Sequence, residues 1–149
     1  MTEDSIMHFG YVGLFVVSFL AATLLPGSSE VFVALMPARG YNVWLVLLFA
    51  TTGNYLGALA NYYIGKYSGN LLFARYARVS PEKLEKNRNL YRRWGAPILF
   101  FSWVPIIGDP LTVVAGMVRV RPIVFSFWVI LGKILRYIAI LGLAYSVIH

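Results

Sequence analysis

The chain contains no cysteine, so disulfides and thiolate chemistry are excluded and the redox compartment cannot be read. Its two histidines, His8 and His149, stand at opposite ends without ligand-like neighbours, and no metal site is expected. No glycine-rich loop has phosphate-cradling spacing, so no nucleotide or other cofactor is expected either. Charge is scarce: 13% of residues are charged against 59% hydrophobic, with a mean hydropathy of +0.69. Acids are fewest, six against thirteen bases. Such a composition describes an all-α integral membrane protein, a single membrane domain over residues 1–149, and not a soluble globule. A net charge of +7 would point to nucleic acid in a soluble protein. Here the bases lie between apolar segments, where membrane orientation accounts for them and no nucleic acid is expected.

Residues 1–8 read as a polar, acidic, flexible lead. Glu3 and Asp4 replace a basic n-region and no small-residue cleavage site follows, so the next apolar run reads as retained structure. That run, Phe9 to Leu25, is broken by Pro26, Gly27, Ser28, Ser29 and Glu30, resumes at Val31 to Pro37 and ends in a polar turn. The same design recurs at Ser102 to Gly116, where Pro105 and Pro110 bracket Gly108 and Asp109. Proline removes a donor and clashes with the preceding turn, so this stretch reads as helix, tight turn, helix. Its arms, Ala96 to Val104 and Leu111 to Val118, would each reach only ~12 to 14 Å, about half of a ~30 Å hydrocarbon core. A re-entrant hairpin fits that reach, with a tip near the midplane that must line protein or a wet cavity.

Two segments are long enough to span. Val43 to Gly65 holds 23 residues without a formal charge, with Gly53, Asn54 and Gly57 at its centre. Close helix packing is the plain reading of the glycines, a face that also permits a homodimer, whereas a mid-membrane amide at Asn54 must find a partner. Ile123 to Ile148 is the second, with Gly132, Lys133 and Arg136 near its centre. Lys133 and Arg136 share a face, and each costs about 2.5–3.5 kcal/mol at that depth, so both are expected to point at partners. Between the segments lies a basic loop, residues 66–95, with a helix starting at Ser80, Pro81 and Glu82 and stopped by Gly95 and Pro97. It reads as an amphipathic interfacial helix touching anionic headgroups of membrane lipids.

The excess of Lys and Arg places that loop in the cytoplasm, and Arg119 and Arg121 return there only if the second broken segment is re-entrant. A shift of 79 residues superposes Pro26 on Pro105, Glu30 on Asp109, Gly53 on Gly132, Asn54 on Lys133 and Gly57 on Arg136. The chain thus reads as an inverted repeat of two units, about residues 9–65 and 96–148, each a re-entrant hairpin followed by a transmembrane helix. Glu30, Asp109, Lys133, Arg136 and Asn54 would gather at the midplane as a substrate or proton pathway.

These features resemble the DedA family of bacterial inner-membrane proteins, which carries the SNARE-associated Golgi or VTT domain, and above all its YqaA-type branch. The residues that carry the resemblance are Ala22 to Gly27 with Ser29 and Glu30, Gly53-Asn54 with Gly57, Ser102-Trp103 with Pro105, Gly108-Asp109, Ala115-Gly116, and Leu131 to Lys133 with Leu135 to Tyr137. The resemblance implies a multi-pass protein of the bacterial inner membrane, paired re-entrant hairpins, a part in membrane-potential and envelope homeostasis and, for some relatives, movement of anionic lipids. Many relatives carry two arginines in the second hairpin at the positions of Ser102 and Gly108, so here Lys133 and Arg136 would have to supply the positive charge.

Three functions are weighed. A translocase of a lipid or small anion would use Lys133 and Arg136 as anion ligands and the carboxylates for proton coupling. A non-transporting scaffold would use the same charges only to hold the hairpins. An intramembrane aspartyl hydrolase would pair Glu30 with Asp109, but a Gly-x-Gly-Asp pattern needs glycine where Ile106 stands, so no enzyme is expected.

Overall fold

The computed structural model describes residues 3–23, 28–76, 80–104 and 107–148, and the elements among them are all helical. In order they are α1 (Glu3–Ala21), α2 (Ser28–Leu35), a 3-10 turn (Pro37–Arg39), α3 (Val43–Tyr76), α4 (Pro81–Trp94), a 3-10 segment (Ala96–Trp103), α5 (Gly108–Met117) and α6 (Pro122–Ile148). Within α3 and α6, the stretches Val43–Ser68 and Pro122–Val147 are long and apolar enough to cross a membrane. Pro26, Gly27 and Pro105, which carry the expected breaks, lie outside the described residues.

Four boundaries differ from the sequence expectation. Helix α1 already begins at Glu3, so the acidic lead is helical from there. Helix α3 does not stop at Gly65 but continues to Tyr76. Gly65 is no cap; its bare Cα receives the carbonyl of Val113, and the residues beyond it include good helix formers. The first arm of the second broken segment is 3-10, following a left-handed Gly95 with φ 68° and carrying Pro97 in its first turn. Finally, α5 begins at Gly108, so Asp109 and Pro110 sit inside its first turn, where the missing proline N–H is not needed.

Helix α4 forms where its signals lie. The Ser80 hydroxyl accepts the Lys83 amide at 3.4 Å, Pro81 is the first helical residue, and the Gly95 amide closes the end on the Tyr91 carbonyl at 2.8 Å.

The chain divides into two compact units. The first, Met1–Gly57 with Lys133–His149, has a core of Tyr11, Leu14, Val33, Met36, Val46, Ala50 and Tyr137. Asn42 caps α3 by accepting the Trp44 amide at 2.9 Å, while its own amide donates to the Tyr11 hydroxyl at 2.9 Å. Helix α1 approaches α3 closely at Gly53 and Gly57, where a Cβ would overlap the carbonyls of Phe15 and Phe19. The expected Gly53–Gly57 packing face is therefore covered from within the chain.

The second unit, Ala58–Gly132, is built around α5, of which every residue from Pro110 to Gly116 is buried. Gly116 meets the backbone of Tyr62 and Lys66, Gly65 meets Val113, and Gly132 meets the carbonyl of Phe100. The Tyr62 hydroxyl donates to the Val120 carbonyl, and its ring packs on Phe125 with centroids 4.7 Å apart.

Candidate functional site

The first unit contains the polar site. Glu30 lies in the first turn of α2. Its carboxylate forms a salt bridge with the Arg136 guanidinium from the middle of α6. The arginine side chain is 11% exposed and the glutamate 36%, so the pair is closed on one side and open on the other. One turn earlier on α6, Lys133 is 2% exposed and donates to the Asn54 side-chain oxygen. Asn54, 3% exposed, uses its amide nitrogen to donate to the Ser18 carbonyl at 3.1 Å. The amide is thus wedged between α1, whose backbone it holds, and the ammonium of α6. Beside it the hydroxyls of Ser29 and Tyr137 lie 2.9 Å apart, and either can donate.

Sequence reasoning named Glu30, Arg136, Lys133 and Asn54, and the fold joins them as two bonded pairs. It assigned no site role to Ser18, Ser29 or Tyr137. Ser18 was detectable as the one serine inside the apolar run of α1, and Ser29 and Tyr137 as the neighbours of Glu30 and Arg136. Asp109 belongs to the other unit. It stands partly buried in the first turn of α5, where its carbonyl accepts the Thr112 hydroxyl at 2.7 Å. No group of histidine, aspartate or glutamate with metal-binding geometry occurs among the described residues.

Outside the spanning segments, Tyr91 of α4 has its phenol raised above the usual range, chiefly by burial and secondarily by the Tyr62 phenol.

The VTT domain matches residues 25–146. The chain belongs to the VTT-domain (DedA) family. It is 40% identical over 128 residues to inner membrane protein YqaA of Escherichia coli (strain K12), a match covering 85% of each chain. A protein of Haemophilus influenzae is 36% identical over 139 residues, covering 88% of this chain and 85% of its own. Membrane protein YkoX of Bacillus subtilis is 24% identical over 144 residues, 88% of this chain and 61% of that one. No solved structure matches the chain. The inner-membrane relative and the two apolar spans together make this VTT-domain chain a membrane protein.

The fold also accounts for one departure of this VTT-domain chain from the arginine-bearing pattern. A side chain at Gly108 would begin inside the carbonyl of Ser102, and Ser102 itself is 4% exposed. Gly108 has no room for a side chain in this packing.

Proposed function

We propose that this VTT-domain protein moves a lipid or a small anion across the bacterial inner membrane, using Arg136 and Lys133 as anion ligands. The observation that carries the reading is the half-open Glu30–Arg136 salt bridge on a membrane-spanning helix. Each base costs about 2.5–3.5 kcal/mol in the hydrocarbon centre, and two of them stand three residues apart on α6. A partly exposed Glu30 can give up Arg136 to an incoming phosphate or other anion, while taking a proton balances the charge. Asp109, in the other unit, is assigned a proton-coupling role of its own. On this reading the chain is a transporter and not an enzyme, with a role in envelope or membrane-potential homeostasis.

The inverted repeat is part of the proposal. In its favour, Asn54 and Lys133 are hydrogen-bonded and stand 79 residues apart, the repeat offset itself. Residues that touch their own repeat equivalents lie beside a pseudo-twofold axis, where inverted-repeat transporters place substrate. Gly53 and Gly132, another equivalent pair, each receive a carbonyl, from Phe15 and Phe100. Helices α2 and α5, 8 and 10 residues long, reach about 12 and 15 Å, too short to cross a core of ~30 Å, as re-entrant arms require. We place the basic loop, residues 66–95, in the cytoplasm against anionic headgroups.

The test is lipid movement in proteoliposomes, with a labelled anionic lipid, a zwitterionic control and chloride efflux. The reading expects flux of one anionic species that folded Glu30→Gln and Arg136→Gln variants lose. No flux of either in wild type, with variants altered only in melting temperature, would leave the charge pairs as helix fasteners of a scaffold.

A further inference from the structure

A cavity of about 450 Å³ lies within the first unit, walled by Ala34, Pro37 and Ala38 on one side and Leu141, Ala144 and Tyr145 on the other. Its lining is almost wholly carbon. The repeat offset explains why it exists. Adding or subtracting 79 takes Ala34 to Val113, Pro37 to Gly116, Leu141 to Tyr62, Ala144 to Gly65 and Tyr145 to Lys66. In the second unit those equivalents touch through backbone: Gly65 receives the Val113 carbonyl, and Gly116 receives Tyr62 and Lys66. Glycine at both contact points lets α5 close on α3. Proline and alanine at the matching points hold α2 and its 3-10 turn off α6. The gap is therefore written into the sequence and is not a chance separation.

The surroundings indicate the occupant. Leu35 and Leu143, one or two residues from the lining, are 51% and 67% exposed, so the cleft opens among side chains that face hydrocarbon. Arg39, exposed, follows Ala38, and Trp44, 77% exposed, follows Val43 of the lining. Tryptophan and arginine together mark headgroup depth. A flexible hydrocarbon chain laid along this apolar wall gains dispersion contacts over its whole length.

We infer that the cleft between α2 and α6 holds one acyl chain of an anionic phospholipid, with its headgroup at Arg39. This uses the repeat reading only to explain the gap, and it requires no movement of lipid.

The full chain is reconstituted with traces of phosphatidylglycerol bearing a diazirine on one acyl chain, then illuminated and digested with trypsin. Cleavage after Lys133 and Arg136 gives peptide 137–149, which carries one wall. Peptide 120–133, from the same helix and with exposed Ile123 and Phe127, reports the surrounding bilayer. The expected result is labelling of 137–149 that saturates and falls at least fivefold with excess unlabelled phosphatidylglycerol, but not with glycerophosphate. Labelling of 120–133 rises linearly with probe. Ala34→Phe and Ala144→Phe, which fill the space from opposite walls, abolish the saturable part while keeping the wild-type melting temperature; if one of them misfolds, the other decides. Linear labelling of both peptides, unchanged in the folded variant, overturns the inference. A wild type that binds the chain but moves no lipid would sink only the transport reading.

Discussion

Glu30 and Arg136 form a salt bridge between the first turn of α2 and the middle of α6, with the arginine more deeply buried than the glutamate. Removing the acid leaves a cation without its countercharge in apolar surroundings. Glu30→Gln is expected to destabilise the protein by about 1–3 kcal/mol, below the range for a fully buried pair because the carboxylate is partly solvated. The exchanged pair Glu30→Arg with Arg136→Glu should recover part of that loss. Melting in detergent checks both; a Glu30→Gln variant as stable as wild type would show that the bridge does not hold α2.

Asn54 and Lys133 should behave as a coupled unit. Asn54→Leu deprives the buried ammonium of one acceptor, at a cost of about 1–3 kcal/mol, while the Ser18 carbonyl keeps the Ala22 amide at 3.3 Å. A double-mutant cycle with Lys133→Met is expected to give a coupling of about 0.5–3 kcal/mol. Simple additivity of the two stability changes would remove the pair from the account.

The glycine contacts make a sharp contrast on similar helices. Gly116→Ala drives a methyl into the backbone of α3 and should cost several kcal/mol or abolish folding, as an overpacked contact between backbones does. Gly142→Ala, with open space around it on α6, should be neutral or stabilise by up to about 1 kcal/mol. Equal effects in thermal melts would mean that α5 does not pack on α3 as described.

Tyr91 gives a prediction about pH. Its raised pKa means that the folded state holds the phenolic proton more tightly than the unfolded chain, whose value is about 10. Its contribution to stability is complete below that value and is lost as pH rises through the higher folded value. Ultraviolet titration of phenolate should lose one of its late-titrating groups in Tyr91→Phe, and that variant should lose less stability between neutral and strongly alkaline pH.

Much of this was legible from residue type alone. Asn54, Lys133 and Arg136 betrayed themselves because a polar group in an apolar span must be bonded, and glycine with proline marked the ends of α4 through geometry local to a few residues. The partners were harder. That Asn54 would also hold Ser18 depends on how far α1 slides along α3, which Gly53 and Gly57 decide through a backbone approach that no periodicity encodes. The end of α3 was misread because the segment was closed where formal charge begins, at Lys66, whereas the helix continues through the basic residues to Tyr76. Gly65, inside it, serves a contact with α5, a segment nearly fifty residues later in the sequence.

The 3-10 segment Ala96–Trp103 is 8 residues long, about twice the usual run of this geometry. At 2.0 Å per residue it spans about 16 Å, whereas the same residues wound as α-helix would span about 12 Å. The arm leading to Asp109 therefore carries a length reserve of about 4 Å. Rewound as α-helix, it would exchange its i+3 bonds for i+4 bonds and draw the start of α5 inward by about 4 Å, with no matching reserve in the other direction.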